Sequence, residues 1–212
     1  MTKFYILRHG ETEWNHNHNR YCGRTDIPLS CTGIKQANAV SQILKGIKFA
    51  KIYSSPLIRA KETARLIKEN LSLTTSIETD ERLIEIDFGR WEGKTKSQIQ
   101  NEFPELWLKW ANDPSNTKAG EIGETANEVY NRVYNFYHEK AQRYPDENIL
   151  VVAHNTLNRI FIAGTLGLPF SKYRKLVQSN TGISILEIKE DNEFIWHQMN
   201  SFLHISSGSN HL

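Results

Sequence analysis

Two guanidiniums and two imidazoles stand where apolar runs of this chain end. Arg8 and His9 follow Phe4-Tyr5-Ile6-Leu7, Arg59 follows Ser54-Ser55-Pro56-Leu57-Ile58, and His154 follows Ile149-Leu150-Val151-Val152-Ala153. Brought together, such groups suit a dianion. An arginine fork grips phosphate oxygens two at a time, and an imidazole among fixed cations stays neutral, because a second positive charge disfavours imidazolium. Neutral imidazole is the form a nucleophile needs. As a phosphoryl group loosens from its leaving oxygen, charge spreads over its equatorial oxygens, where fixed cations stabilise it. The departing alkoxide needs an acid, and the water that follows needs a base. Glu85, in Leu83-Ile84-Glu85-Ile86-Asp87-Phe88-Gly89, is the candidate, since apolar flanks raise a carboxyl pKa. Asp87 is its rival, with Glu11 and Glu92 nearby.

Positioning these groups falls to alternating strands and helices. Residues 3–7, 50–53 and 149–153 are short apolar runs with the pattern of buried strands. Residues 32–44 carry Ile34, Ala37, Val40 and Leu44 at helical spacing. Ser54-Ser55-Pro56 offers an N-cap hydroxyl and a first-turn proline to a helix with Leu57, Ala60, Ala64 and Ile67 on one face. Thr125-Ala126-Asn127-Glu128 has the form of a capping box. Residues 155–166 read as a helix stopped by Gly167, and 182–188 and 194–199 as closing strands. The alternation predicts a three-layer α/β/α sandwich on a mixed, mostly parallel sheet. In such sheets ligands gather at the carboxyl ends of strands, so Arg8-His9, Ser54-Ser55 and His154 are expected to share one crevice.

The bulk properties set limits. A length of 212 residues fits one α/β domain. A formal net charge of +2 is too mild for nucleic acid or an anionic membrane to be the main partner. Two cysteines, Cys22 and Cys31, read as free thiols of a reducing compartment. With no signal-peptide pattern and no membrane-length apolar run, the expected location is cytoplasmic. His16 and His18, alternating with Asn17 and Asn19, lack a Cys or carboxylate partner at ligand spacing, so no metal is assigned. His138, His197, His204 and His211 are taken as structural or exposed, and Trp91, Trp107 and Trp110 as packing.

Five ordered blocks then draw the chain together: Leu7-Arg8-His9-Gly10-Glu11-Thr12-Glu13-Trp14-Asn15; Pro28-Leu29-Ser30 with Gly33 and Gln36-Ala37; Ser54-Ser55-Pro56-Leu57-Ile58-Arg59-Ala60 with Thr63-Ala64; Glu85-Ile86-Asp87-Phe88-Gly89-Arg90-Trp91-Glu92-Gly93; and Val151-Val152-Ala153-His154. They resemble the signature blocks of the histidine phosphatase superfamily, branch 1, the phosphoglycerate mutase-like proteins, across nearly the whole chain. The resemblance implies His9 as phosphoryl acceptor, Glu85 as proton donor, and Arg8, Arg59 and His154 as the phosphate pocket. It adds Asn15, Cys22, Gly23 and Asn155 as substrate contacts, with no cofactor. It further implies a single domain over residues 1–205 with a lid-like insertion at about 94–124, and a monomer or homodimer acting on a small phosphorylated metabolite, while the polar, Gly/Ser-containing composition of 206–212 predicts a flexible tail. Departures from the pattern bear on the reaction. Cys22 stands where mutases have Ser or Thr, Asn155-Thr156 follows the second histidine in place of a Gly-containing pair, and residues 91–131 contain no arginine. A trimmed, aromatic lid favours hydrolysis of a monoester over transfer between two positions. The alternatives are a mutase and a non-catalytic phospholigand-binding relative.

Overall fold

The computed structural model describes residues 1–16 and 20–205. Its strands are β1 (Thr2–Arg8), β2 (Lys51–Ser54), β3 (Ile77–Thr79), β4 (Asn148–Ala153), β5 (Ile183–Ile188) and β6 (Phe194–Ser201). They form one sheet in the order β3-β2-β4-β1-β5-β6. β1 to β4 pair in parallel, and β5 and β6 join antiparallel at one side. The sheet is mixed and mostly parallel, as the alternation of elements implied. β3 is an addition: three residues are too few to leave a periodicity in the sequence.

Seven helices accompany the sheet among the described residues: α1 (Glu13–His16), α2 (Cys31–Ile43), α3 (Ile58–Asn70), α4 (Lys96–Glu102), α5 (Pro104–Asn112), α6 (Ala126–Arg143) and α7 (Asn155–Thr165). The strands sort their side chains with a period of two. Phe4 and Ile6 of β1, with Ile149, Val151 and Ala153 of β4, pack against Val133, Phe136 and Tyr137 of α6 and Phe161 of α7. Leu7, Leu150 and Val152 turn the other way, onto Val40 of α2 and Ala60, Ala64 and Ile67 of α3. A strand buried on both faces must be apolar throughout, which is why these runs were legible.

Helix starts follow the sequence signal at Thr125 and depart from it at Ser54-Ser55-Pro56. The capping box at Thr125 is complete: its Oγ1 accepts the Glu128 N–H at 3.2 Å, and Glu128 Oε2 accepts the Thr125 N–H at 2.7 Å. Ser30 caps α2 by accepting the Gly33 N–H at 3.1 Å. The Ser54-Ser55-Pro56 signal works otherwise. α3 starts at Ile58, its N-cap is Leu57, and no side chain of the cap residue serves it, so Pro56 lies outside the first turn. The Ile58 N–H is taken by Asp26 Oδ1 at 2.7 Å. Ser55 accepts the Leu57 N–H at 3.3 Å and spends its remaining capacity on His154.

Residues 94–124 pack as part of the main body. Ile99, Trp107, Trp110 and Ala119 are buried in the same cluster as α6 and α7, while Lys96, in the first turn of α4, reaches the cavity described below. Among the described residues no helix is long and apolar enough to cross a membrane. Asn17, His18 and Asn19 of the His-Asn tract, and the tail at 206–212 with His211, lie outside the described residues.

Candidate active site

β2, β4 and β1 are neighbours and parallel, so their carboxyl ends place Ser55, His154 and His9 side by side. Above them opens a cavity of about 320 Å³. Of the residues singled out in the sequence, Arg8, His9, Asn15, Cys22, Glu85 and Asn155 line it. Arg59 and His154, both 0% exposed, stand directly behind. The His9 and His154 ring centroids are 5.2 Å apart.

His9 is fixed in one orientation and one tautomer. Its backbone N–H donates to Ala153 O at 3.0 Å, and its carbonyl accepts from Asn180 Nδ2 at 3.0 Å. Nδ1 lies 2.7 Å from Gly10 O. A carbonyl oxygen can only accept, so Nδ1 carries the proton and Nε2 keeps its lone pair. Burial holds the His9 pKa well below its ordinary value, with Arg59 and Arg8 adding to the effect. Desolvation is thus a larger cause than the neighbouring cations expected from the sequence.

The cations around it are pinned by main-chain carbonyls. Arg8 Nη1 donates to Gln178 O at 2.9 Å, and burial pushes its pKa down to about 10. Arg59 donates through Nη1 to Thr25 O at 2.8 Å and through Nη2 to Gly23 O at 2.7 Å. His154 Nε2 is 2.7 Å from Ser55 Oγ. The Ser55 hydroxyl hydrogen has no other acceptor among the described residues, so it donates to Nε2 and leaves the His154 proton on Nδ1. Arg8 Nε, Arg59 Nε and His154 Nδ1 are all buried without a hydrogen-bond partner among the described residues. Buried donors of this kind are costly unless a ligand engages them. Asn15 adds an oriented amide: Oδ1 accepts from Thr12 N and Thr12 Oγ1, both at 3.1 Å, and from Asn180 Nδ2 at 3.4 Å, while its NH₂ has no partner among the described residues.

Glu85 sits at the N-terminus of α7. Its Oε1 accepts from Ile86 N and Leu157 N, each at 2.9 Å, and its Oε2 from Thr156 N at 3.0 Å. The carboxyl thereby caps a helix whose own N-cap, His154, offers none. Burial raises the Glu85 pKa and outweighs the three backbone donors, which lower it. Asp87 is not on the cavity wall; its Oδ1 accepts the Gly89 N–H at 2.8 Å and shapes the turn. Glu11 accepts the Ser30 hydroxyl at 2.9 Å, beside the α2 cap.

One expectation departs from this geometry. Gly23 was expected to offer its backbone to substrate, yet its N–H is committed to Glu92 Oε1 at 2.9 Å and it does not line the cavity. Glycine is required there because a Cβ would collide with Ile86 O. The Thr156 and Leu157 N–H groups, further along the chain from His154, serve Glu85. Cys22 lines the wall as an unactivated thiol, its pKa pushed up to about 11 by burial.

Several lining residues went unnoticed in the sequence: Arg159 of α7, Tyr173 and Arg174 from a 3₁₀ helix (Phe170–Lys175), and Tyr21. A signal existed. Asn155 and Arg159 are four apart on one helix face, and residues 155–186 hold Arg159, Lys172, Arg174 and Lys175 without a single Asp or Glu. Asn180 was also passed over, although it ties His9 to Asn15. No three His, Cys, Asp or Glu side chains among the described residues come together as a metal site.

The sequence model of the histidine phosphatase superfamily, branch 1, matches residues 4–201. Phosphoserine phosphatase 1 of Hydrogenobacter thermophilus is 34% identical over 190 residues, covering 90% of this chain and 88% of its own. The structure of YhfR from Bacillus stearothermophilus aligns with a TM-score of 0.88 at 29% identity, over 97% of this chain and 100% of its own. A mutant phosphoserine phosphatase of Entamoeba histolytica, solved in complex with phosphoserine, aligns with a TM-score of 0.85 at 30% identity, with the same coverage.

Proposed function

The chain belongs to branch 1 of the histidine phosphatase superfamily, and from that premise we propose a two-step hydrolysis carried by His9 and Glu85. The protein is a phosphatase of small phosphomonoesters. In the first step His9 Nε2 attacks phosphorus, the P–O bond to the alcohol breaks, and Glu85 gives its proton to the departing oxygen. Arg8, Arg59, His154 Nδ1 and the Asn15 amide receive the charge that spreads over the equatorial oxygens. In the second step the Glu85 carboxylate takes a proton from water, the hydroxide attacks the phosphohistidine, and inorganic phosphate leaves with His9 restored. A bound dianion raises the Glu85 pKa further, since like charges disfavour ionisation, so the acid is loaded when it is needed.

The observation that carries this proposal is the Nδ1 bond of His9 to Gly10 O at 2.7 Å, which leaves an unprotonated Nε2 among cations. Hydrolysis is favoured over mutase transfer because the two relatives above with named activities are phosphatases. The test is phosphate release from a panel of metabolite monoesters by wild type and His9→Ala, with phosphoglycerate interconversion followed in parallel. Release that vanishes in His9→Ala supports the reaction; interconversion faster than release overturns it.

A further inference from the structure

Eleven arginines are present in the chain. Five of them, Arg24, Arg65, Arg82, Arg90 and Arg132, pair with a carboxylate within 4 Å. Of the six without such a pair among the described residues, all but Arg143 line the cavity or, in the case of Arg59, lie directly behind it. Arg8 and Arg59 belong to the His9 end. Arg159 and Arg174 are mounted together on Tyr173 instead, and nothing in the two-step hydrolysis uses them.

Their mounting is rigid. Arg159 Nε donates to Tyr173 O at 3.1 Å, and its guanidinium lies 5.2 Å from the Tyr173 ring centre. Arg174 lies 4.8 Å from the same ring and 4.8 Å from that of Trp107. Tyr173 is buried, and its hydroxyl receives the Trp110 indole N–H at 3.4 Å. Arg174 Nη2 is buried and has no hydrogen-bond partner among the described residues. Tyr21, beside Arg174, cannot neutralise it: burial pushes the phenol up to about 12. The one acidic residue on the cavity wall is Glu85, which the α7 backbone already holds. Two like charges stacked about a single ring repel each other, and Arg174 contributes to lowering the Arg159 pKa. Such an arrangement is relieved by an anion that both can share.

We propose that Arg159 and Arg174 form a second anion subsite that takes a carboxylate of the substrate. The preferred substrates are then compact phosphomonoesters carrying a carboxylate a few bonds from the ester oxygen. A guanidinium held flat against aromatic faces presents its edge, and the edge of the fork matches a planar carboxylate through two parallel N–H···O bonds. A cavity of about 320 Å³ keeps the two anionic ends close. The subsite rests on the phosphatase reading, because its ligand is another part of the ester that His9 attacks.

The test compares esters with and without the carboxylate: phosphoserine against phosphoethanolamine, which lacks it, and 3-phosphoglycerate against glycerol 3-phosphate, which has a hydroxymethyl group in its place, with nitrophenyl phosphate as a reference and an alkanediol bisphosphate as a further arm. The carboxylated member of at least one pair should have a kcat/KM about tenfold higher or more, the scale of a charge-assisted bond. In Arg174→Gln that ratio should fall to about twofold or less, with partial recovery in Arg174→Lys. The wild-type ratios stand on their own should a variant fail to fold. Ratios near one in both pairs overturn the subsite, as does cleavage of nitrophenyl phosphate but of neither carboxylated ester. A bisphosphate cleaved better than both carboxylated esters overturns the carboxylate assignment. If nitrophenyl phosphate is not cleaved at all, the phosphatase reading fails and the subsite falls with it.

Discussion

Replacing Glu85 by Gln separates its two duties, acid and helix cap, and their sizes follow from the geometry. The amide oxygen can keep the bonds of Oε1 to Ile86 N and Leu157 N, but the NH₂ then faces the Thr156 N–H that Oε2 accepts at 3.0 Å. One hydrogen bond is lost and a buried donor is left without a partner, a cost of about 1–3 kcal/mol. For a chain of this size that lowers Tm by roughly 2–4 °C per kcal/mol, so the variant remains folded and assayable. The chemical loss is larger. A positioned general acid contributes about 10²–10⁴-fold, and only where the leaving oxygen needs a proton. On an alkyl phosphate, kcat/KM for Glu85→Gln should therefore fall by about 10²–10⁴. On nitrophenyl phosphate, whose leaving group departs as a stable anion, kcat/KM should fall less than about tenfold, the acid's share of the barrier being absent. That constant reports only the steps through phosphoenzyme formation. Turnover on nitrophenyl phosphate still slows, because water lacks its base, and a stopped-flow trace should show a burst of nitrophenolate equal to the enzyme present. Equal losses in kcat/KM on both esters would refute the assignment of Glu85 as general acid.

The remaining predictions are simpler. The pH profile of kcat/KM should have an acid limb below pH 6.5, where His9 takes a proton, and an alkaline limb above the ordinary Glu pKa, where Glu85 loses its own; Glu85→Gln should abolish the alkaline limb, and its persistence would count against Glu85. Stability should also respond to acid. His9 and His154 are both buried with lowered pKa values, so their contribution is complete above pH 6.5 and is lost as pH falls through the folded-state values. Each costs about 1.4 kcal/mol per pH unit in that window. The fall in Tm between pH 6.5 and 5.5 should be shallower in His154→Gln than in wild type, and an unchanged slope would contradict the sign argument. Gly33→Ala places a Cβ against Glu11 O and must shift the start of α2; overpacking of this kind costs about 1–3 kcal/mol. Thermal unfolding should show that loss, and a neutral result would mean the backbones can separate freely.

Much of this site was legible because the fold delivers it through strand ends. β1 and β4 are apolar on both faces, so the first polar residue after each run marks where the chain leaves the sheet, and those residues are Arg8-His9 and His154. The Thr125 capping box was equally plain, since it is local. What escaped notice was set by tertiary contacts. Ser55 carries the form of an N-cap, but a buried imidazole claims its hydroxyl. Gly23 is a substrate contact by the resemblance, but Glu92, 69 residues away, takes its amide. Arg159 lies within a helix dominated by apolar residues, and Arg174 in an irregular link, so neither follows an apolar strand that would flag it. Only their common contact with Tyr173 brings them together.

Trapping the covalent intermediate tests the central claim most directly. Enzyme mixed with a labelled phosphomonoester and quenched in alkali within the first turnover should carry phosphate that survives base, is released by acid, and maps to the peptide containing His9. Product release at normal rates with no phosphate on that peptide, in wild type and in Glu85→Gln alike, would contradict a phosphohistidine and with it the role given to His9.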